Sequence, residues 1–283
     1  MNPLILTDTA SDIPVSTENE NLRVLPMKIF FGDTEYLDTV TLSHEEFYHK
    51  LIESAALPTT SQIPPYEFDR AFAEAVGAGR QVVVITLSQK LSGTYQSAAI
   101  AAENYPGQVF LVDSECVAVG ERALVEYALE LVERKFDAAT IAAELARMKR
   151  RLCVIALLDT LEYLKAGGRI SRTAAIAGGL LNIKPVVSIV NGEVALIGKA
   201  RGSKNGSNLL RELISARGGV DFRYPFRLGY TGLDDTMLQK YIADSADLWH
   251  TETAPLPVAT IGGTIGTHAG PGAIAVAFFA KEA

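Results

Sequence analysis

The first half of the chain alternates short apolar runs with longer stretches of helical character, and this pattern narrows its fold to one class. Continuous apolar runs are typical of strands that are buried on both faces of a sheet, and helices must cover such strands. The alternation therefore predicts an α/β lobe with a mostly parallel sheet flanked by helices. The predicted strands are 4–7, 25–30, 82–87 and 109–112, and the predicted helices are 43–55, 65–77, 92–104, 119–134 and 138–150.

The second half is predicted to form another α/β lobe, with a mixed or antiparallel sheet. Asn191 and Gly192 separate two apolar runs, and both residue types tolerate the positive φ of a tight hairpin turn. We place the boundary after the charged segment RMKRR, which gives lobes 1–150 and 151–283 and no Pro/Ser-rich linker between them. Further predicted strands are 153–158, 258–262 and 273–279, and further predicted helices lie near 204–217 and 234–246.

Composition and charge exclude several classes of protein. The chain of 283 residues is 48% hydrophobic and has a formal net charge of −7, so it can bury a large core and lacks the basic balance of a general nucleic-acid binder. The same charge argues against electrostatic attachment to an anionic membrane. We find no apolar run long enough to span a bilayer and no signal peptide, and we expect a cytoplasmic protein. Cys116 and Cys153 are predicted to be reduced, buried thiols.

Common catalytic and nucleotide-binding motifs find little support. The histidines of HEEFYH (44–49) are five residues apart, whereas zinc ligands on one helix face need a spacing of four, so we interpret this segment as a solvated helix. The chain has no phosphate-binding loop of the Walker type and no nucleophile elbow, and GGTIG (262–266) only weakly resembles a dinucleotide fingerprint. Common nucleotide and hydrolytic chemistries therefore have little support, and we predict no metal and no cofactor.

Four short regions combine glycine or proline with hydroxyl, imidazole or guanidinium groups. Glycine and proline in such segments indicate rigid turns where the backbone comes close to a ligand, and Gly93 is expected to allow a tight turn after a predicted strand. The regions are TTSQIPP (59–65), KLSGTYQSA (90–98), KAGGRIS (165–171) with GKARG (198–202), and GTHAGPGA (266–273).

Taken in order, these segments resemble the signature of the DegV family, the bacterial fatty-acid-binding proteins that carry lipid for fatty acid kinase. The resemblance implies two α/β lobes, an acyl chain inside the protein and a carboxyl group near the junction of the lobes. It also implies a carrier without catalytic activity, whose fatty acid is phosphorylated by a separate kinase subunit. The matching segments are LTDTASDIP (6–14), TSQIPP (60–65), LSGTYQSA (91–98), LEYLKAGGRIS (161–171), LLNIKPVVSIVNGEV (180–194) and HAGPGAIAV (268–276).

The resemblance also assigns a head-group site. Thr60 and Ser92 correspond to the hydroxyl residues that bind the carboxyl group, and His268 can donate to a carboxylate from a ring nitrogen. By resemblance, Arg169 and Arg201 lie near the head group and the kinase-docking face, where we hypothesise that they accommodate charge as an acyl phosphate forms. Each residue also has an ordinary structural interpretation: Thr60 and Ser92 as turn or helix caps, His268 as a loop residue, and the arginines as solvated charges.

The acyl tail is predicted to dominate the affinity. Burial of a sixteen-carbon chain contributes on the order of 10 kcal/mol at about 0.8 kcal/mol per methylene, whereas a charge-assisted hydrogen bond contributes about 1.5–3 kcal/mol. Apolar residues of the second lobe are candidates for the tunnel, although ordinary core packing gives the same pattern. The candidates are Ile176, Leu180, Leu181, Ile183, Val187 and Ile189.

Two alternative functions stay open at this point. The first is a small-molecule hydrolase or transferase that uses Ser92 and His268, which would have to lie within about 3 Å of each other with an acid behind the histidine. The second is a scaffold protein whose pocket is vestigial. Asp8, Asp113 and Ser114 follow predicted strands, but capping and turn bonding explain them, and we leave them outside the site.

Overall fold

Three β-sheets organise the part of the chain that the computed structural model describes, residues 2–170, 183–249 and 255–282. The first is a parallel sheet with the order β2-β1-β6-β7. Every residue of the central strands β1 and β6 is buried, as the continuous apolar runs predict. The predicted parallel sheet is confirmed. Its strands are β1 (Leu4–Asp8), β2 (Leu22–Leu25), β6 (Val82–Thr86) and β7 (Val109–Asp113).

Helices cover both faces of the parallel sheet. Ile5, Val83 and Ile85 point to the side of α4 and α5, and residues of the opposite parity, such as Leu6 and Val84, point to the side of α2 and α3. Each face therefore forms its own apolar core. The helices of this half are α1 (His44–Glu53), α2 (Pro65–Gly77), α3 (Thr94–Ala102), α4 (Ala118–Glu133) and α5 (Ala138–Met148), with a short 3-10 helix at Thr9–Ser11.

A small antiparallel sheet, with the order β4-β3-β5, was not predicted. The single strand predicted over 25–30 is wrong, because β2 ends at Leu25 and β3 begins at Lys28 in a different sheet. Pro26 lies between the two strands and has no N–H to donate to a ladder, which favours a break there. The strands of this sheet are β3 (Lys28–Phe31), β4 (Thr34–Leu37) and β5 (Thr59–Ser61).

The third sheet belongs to the second half of the chain and is mixed. Its order is β10-β9-β8-β13-β11-β12, and all neighbouring strands are antiparallel except β11 and β12. The predicted hairpin is confirmed, because Asn191 and Gly192 join β9 to β10 with φ angles of 51° and 81°. The strands are β8 (Leu152–Leu157), β9 (Ile183–Val190), β10 (Glu193–Arg201), β11 (Arg227–Tyr230), β12 (Val258–Thr260) and β13 (Ile274–Phe279).

The mixed sheet packs against helices of both halves. On one face, α7 covers Ile155, Leu157 and Val186, and on the other face α4 contributes Val119 to a cluster with Ala275. The helices of this half are α6 (Glu162–Ala166), α7 (Gly202–Ala216), α8 (Thr236–Asp244), α9 (Ala246–Trp249) and α10 (Gly263–Ala269), with a short 3-10 helix at Lys149–Arg151. Among the described residues, we find no helix with the length and hydrophobicity of a membrane-spanning segment. Cys116 and Cys153 are buried and free, as predicted.

Candidate ligand-binding site

An apolar cavity, here called the inner cavity, lies between the mixed sheet and the first half of the chain. It contains about 930 Å³ of empty space, including the solvent at its opening. Most of its wall is aliphatic, so it suits a hydrocarbon. The apolar lining residues are Met27, Leu87, Leu91, Val117, Ala118, Val154, Ala156, Leu158, Leu164, Val187, Ile189, Val194, Ile261, Ile265, Ala269, Ala273 and Ala275.

Small alanine side chains on neighbouring strands leave much of the space of the inner cavity. Ala156 of β8 and Ala275 of β13 face each other in the ladder, and both line the inner cavity. Larger apolar side chains at these two positions would fill the space as ordinary core. Of the predicted tail residues, Val187 and Ile189 line the cavity, and Ile183 does not. The other three, Ile176, Leu180 and Leu181, lie outside the described residues.

Polar side chains from distant parts of the chain meet at one end of the inner cavity. Thr60 lies on β5, Ser92 lies in the loop after β6, Arg169 follows α6, and His268 lies on α10. The structure thus brings four of the five predicted head-group residues to one wall. Arg201 is exposed at the end of β10 and does not line this cavity.

Thr60 and His268 form the centre of this polar wall. The hydroxyl oxygen of Thr60 lies 3.0 Å from Nε2 of His268. Burial, together with the positive charge of Arg169, lowers the pKa of His268 to about 4, so its imidazole is neutral at pH 7. In the tautomer with the proton on Nε2, the imidazole donates to Thr60 and leaves the Thr60 hydroxyl proton for an anion. Such a relay can hold a carboxylate without a charged histidine.

Ser92 is positioned by a turn rather than by a helix cap. The helix begins at Thr94 with Gly93 at the N-cap position, so the prediction that Ser92 caps it is wrong by one residue. The Ser92 hydroxyl accepts a hydrogen bond from the backbone N–H of Thr94 (3.3 Å) and lies 3.0 Å from its side-chain oxygen. Ser92 is half-buried and lines the inner cavity next to Leu91.

Gly93 makes room for a side chain of the neighbouring segment. Its φ of −75° suits any residue, so the backbone angle alone does not require glycine here. A Cβ atom at Gly93 would lie 1.9 Å from Oε1 of Gln62. Gln62 in turn donates to the hydroxyl of Ser97, with a distance of 3.0 Å. The two segments that carry Thr60 and Ser92 are therefore interlocked.

Arg169 brings a positive charge to the same wall. Its Nε donates to the carbonyl of Leu91 (3.2 Å) and its Nη1 to the carbonyl of Gly167 (2.6 Å). These two bonds tie the turn after α6 to the loop that carries Ser92. Since a guanidinium has five N–H donors, Arg169 has donors beyond these two for an anion.

A second cavity, here called the outer cavity, lies beyond the polar wall. With its opening it encloses about 660 Å³, and Thr60, Arg169 and His268 line both cavities. These three residues therefore separate an apolar chamber from a second chamber. The remaining lining residues of the outer cavity are Leu57, Pro58, Thr59, Tyr163, Ala166, Gly167 and Thr267.

Two aspartates of the first half fix the helix that carries His268. Asp38 accepts hydrogen bonds from the backbone N–H (3.1 Å) and the hydroxyl (2.5 Å) of Thr264, and Asp12 accepts one from the N–H of Gly262 (2.8 Å). Both carboxyl groups are buried, and burial raises the pKa of each. Sequence reasoning missed both residues, because each looks like a turn aspartate and its partner lies more than 200 positions away.

Helix α1 also packs against this helix. Phe47 and Tyr48 are fully buried, and the Tyr48 hydroxyl donates to the carbonyl of Ile261 (2.8 Å). The interpretation of the HEEFYH segment as a solvated helix is therefore wrong for this face, whereas His49 is exposed. Burial lowers the pKa of His44, against the attraction of Asp38.

The arrangement does not form a catalytic triad. Nε2 of His268 bonds to Thr60, and the Ser92 hydroxyl bonds within its own turn, so no hydrogen bond joins the two. Nδ1 of His268 is buried, and none of the described residues supplies an acid to it. Among residues 2–170, 183–249 and 255–282, no group of three His, Cys, Asp or Glu side chains could hold a metal ion.

Comparisons with known proteins give one consistent picture. A family model described as "Uncharacterised protein, DegV family" matches residues 4–281. A DegV domain-containing protein of Caldanaerobacter subterraneus is 33% identical over 280 residues, which is 98% of each chain. A DegV family protein of Thermus thermophilus, whose structure is described as fatty acid binding, is 33% identical with a TM-score of 0.85 over 99% of this chain and 100% of that chain. The Fatty Acid Kinase (Fak) B3 protein of Streptococcus pneumoniae, loaded with linoleic acid, shares the fold at 21% identity and a TM-score of 0.84, over 99% of this chain and 100% of that one.

Proposed function

The chain belongs to the DegV family, and from this premise we propose that it binds a long-chain fatty acid, with the tail in the inner cavity and the carboxylate at the polar wall. The observation that carries the proposal is the Thr60–His268 pair in the wall of a mostly aliphatic cavity. The fatty acid binding described for the Thermus thermophilus relative supports it. In this proposal, no cofactor is needed besides the lipid ligand.

The carboxylate needs partners because an unpaired charge is costly in an apolar setting. Thr60 and Ser92 each offer a hydroxyl at the mouth of the inner cavity, and neutral His268 orients the Thr60 hydroxyl. Arg169 adds a positive charge on the same wall. These groups fix the orientation of the carboxylate head group, whereas burial of the methylene groups of the tail supplies most of the binding affinity.

We further propose that the protein is a cytoplasmic carrier and that a separate fatty acid kinase phosphorylates the bound lipid. No hydrogen bond joins Ser92 to His268, and none of the described residues places an acid behind this histidine, which supports a carrier rather than the hydrolase or transferase alternative. In this proposal, Arg201 contacts the kinase, because it is exposed and lies outside both cavities. The lobes are 1–150 and 151–283, and the head group lies where they meet.

Lipid extraction and reloading test the proposal. We expect mass spectrometry of the purified protein to detect a bound fatty acid, and the delipidated protein to bind palmitate again. Thr60→Val should weaken palmitate binding about ten-fold, the value of one hydrogen bond to a charged group, and leave binding of hexadecanol unchanged. Thr34→Val is the matched control, because Thr34 is exposed on β4 of the same small sheet.

Two results would reject the carrier. One is a protein that carries no acyl chain and binds no palmitate after delipidation. The other is hydrolysis of an acyl ester by the isolated protein that is lost in Ser92→Ala, which would favour the hydrolase or transferase alternative.

A further inference from the structure

Four buried acidic side chains lie behind the residues that line the inner cavity from the first half of the chain. They interact electrostatically with one another, although they come from the end of β1, from the loops after it and after β4, and from helix α4. In three of them, one carboxyl oxygen is buried and has no hydrogen-bond partner among the described residues. We call this group the carboxyl cluster, and its members are Asp8, Asp12, Asp38 and Glu121.

Little positive charge compensates the carboxyl cluster. Among the described residues, the basic side chains that act on it are His44 and Arg122, and Arg122 is already paired with Glu126 at 3.0 Å. Burial lowers the pKa of His44, so its imidazole is neutral at pH 7. The other titratable side chains that face the cluster bring no positive charge, and they are Tyr48, Asp113 and Cys116. Because four buried negative charges would be very costly, part of the cluster holds protons at neutral pH.

The carboxyl cluster is bonded to segments that line the inner cavity. Asp8 accepts a hydrogen bond from the N–H of Leu87 (3.1 Å), and Leu87 lines the cavity. Asp38 accepts two bonds from Thr264, which also lines the cavity and precedes His268 by about one helical turn. A carboxylate bound at His268 would therefore add a negative charge close to the cluster.

Protonation of the cluster changes near neutral pH. Burial raises the pKa of Asp8 to about 7, and the charge of Asp38 adds to this effect, against the hydrogen bonds from the N–H groups of Leu87 and Ala10. Burial also raises the pKa of the other three carboxyl groups. Since the groups interact, they titrate as a set. A further negative charge nearby raises their pKa values and makes the set take up protons.

We propose that fatty acid binding is coupled to proton uptake by the carboxyl cluster, a regulation that rests on the proposed function. The bound carboxylate adds a negative charge, and a proton that moves from the solvent to a carboxylate of the cluster offsets this charge. The lipid itself stays ionised. Binding is therefore tighter at acidic pH and weakens as the pH rises through about 7, where the cluster loses protons.

Palmitate titrations between about pH 6.5 and pH 8.5 test the coupling. Neither palmitate nor His268 titrates in this range, because a dissolved carboxylic acid has a pKa near 4–5 and that of His268 is about 4. We expect the dissociation constant of palmitate to rise about five-fold across the range, and that of uncharged hexadecanol to stay constant. Calorimetry near pH 7.5 should show net proton uptake with palmitate, as an observed enthalpy that is more positive in Tris than in phosphate.

Two substitutions remove a carboxyl group of the cluster and keep its hydrogen bonds. One oxygen of Asp38 accepts both bonds from Thr264, and one oxygen of Glu121 accepts from the hydroxyl of Thr7, so an amide oxygen can replace each. Asp38→Asn and Glu121→Gln should each reduce the pH dependence of palmitate binding to less than about two-fold. Asp33→Asn is the matched control, because Asp33 is exposed in the turn after β3, and it should keep the pH dependence of the wild type.

The outcomes separate this inference from the proposed function. If palmitate does not bind at any pH in the range, the proposed function fails. If palmitate binds with the same dissociation constant at both ends of the range, or without proton uptake, fatty acid binding stands and the coupling is wrong. The coupling is also overturned if Asp38→Asn and Glu121→Gln both keep the full pH dependence, or if hexadecanol shows the same dependence as palmitate.

Discussion

His268 shows how burial sets the chemistry of a single residue. Desolvation and the charge of Arg169 both disfavour the imidazolium, and together they lower the pKa of His268 to about 4. The side chain is therefore neutral over the physiological range and acts through its hydrogen bond to Thr60. A protonated histidine would attract a carboxylate more strongly, but burial of its charge would be costly.

The lowered pKa predicts an acid-sensitive stability. Because unfolded His268 has a pKa near 6.5, the unfolded chain binds more protons than the folded chain as the pH falls below that value, and the free energy of unfolding decreases. We expect His268 to account for about 2 kcal/mol of the loss between pH 7.5 and pH 5. Urea titrations of the delipidated protein at each pH measure the free energy of unfolding.

His268→Gln should lose less stability over this range, whereas His49→Gln, at an exposed position, should behave as wild type. Equal losses in both variants would contradict the assignment.

At the residue scale, sequence reasoning finds side chains that belong to a local signature. Thr60, Ser92, Arg169 and His268 each sit in a short segment that resembles a family motif, and all four line the inner cavity. Asp38 has no such signature, because its role depends on a partner 226 positions away. A residue whose role depends on a partner far away in the sequence cannot be identified from the local sequence pattern.

At the element scale, the helix that carries His268 depends on the rest of the fold. Helix α10 spans only Gly263–Ala269, and isolated helices of this length are unstable in water. Asp38 binds two donors of Thr264 at its first turn, and a Cβ atom at Gly263 or Gly266 would collide with α1 side chains. The position of His268 therefore depends on Asp38, Phe47 and Tyr48, which line neither cavity.

This dependence predicts different effects for two aspartates that accept hydrogen bonds from the first turn of a helix. Asp137 caps α5 by accepting from the N–H of Thr140, far along the chain from the site, as Asp38 accepts from Thr264. Asp38→Ala and Asp137→Ala should each lower the free energy of unfolding by about 1–2 kcal/mol. Only Asp38→Ala should weaken palmitate binding, about ten-fold, while hexadecanol binding stays constant in both variants. Urea denaturation and ligand titration give the two values, and a parallel loss for acid and alcohol in Asp38→Ala would exclude a positioning role.

Strand prediction from the sequence succeeds for the strands that are buried on both faces of a sheet. The runs at 4–7 and 82–87 form β1 and β6 because a strand buried on both faces must be apolar throughout. The small sheet has no such signal, since β4 is exposed or half-buried at every position and β5 has only three residues. These strands form because they pair with one another. The sequence of one segment alone therefore does not predict them.

At the scale of the whole molecule, the hairpin of the mixed sheet closes the inner cavity against the first half of the chain. Val187, Ile189 and Val194 line the cavity from the hairpin, and Leu87 and Leu91 line it from the loop after β6. At the hairpin tip, the buried hydroxyl of Ser88 donates to the carbonyl of Gly192 with a distance of 2.7 Å. The turn chemistry predicted the hairpin, but nothing in its sequence predicted where the tip would dock.

The docked tip predicts control over ligand release. Gly192 and Gly32 both have positive φ in hairpin turns, 81° and 59°, so alanine at either position strains the backbone by about 1–2 kcal/mol. A Cβ atom at Gly192 would lie 2.7 Å from the Ser88 hydroxyl, whereas at Gly32 it would meet nothing within 4 Å. We therefore expect Gly192→Ala to release a fluorescent fatty acid several-fold faster than wild type in a stopped-flow displacement assay, and Gly32→Ala to release it at the wild-type rate. If the two variants release the ligand equally fast, the tip contact does not hold the cavity closed, and the lipid leaves by another route.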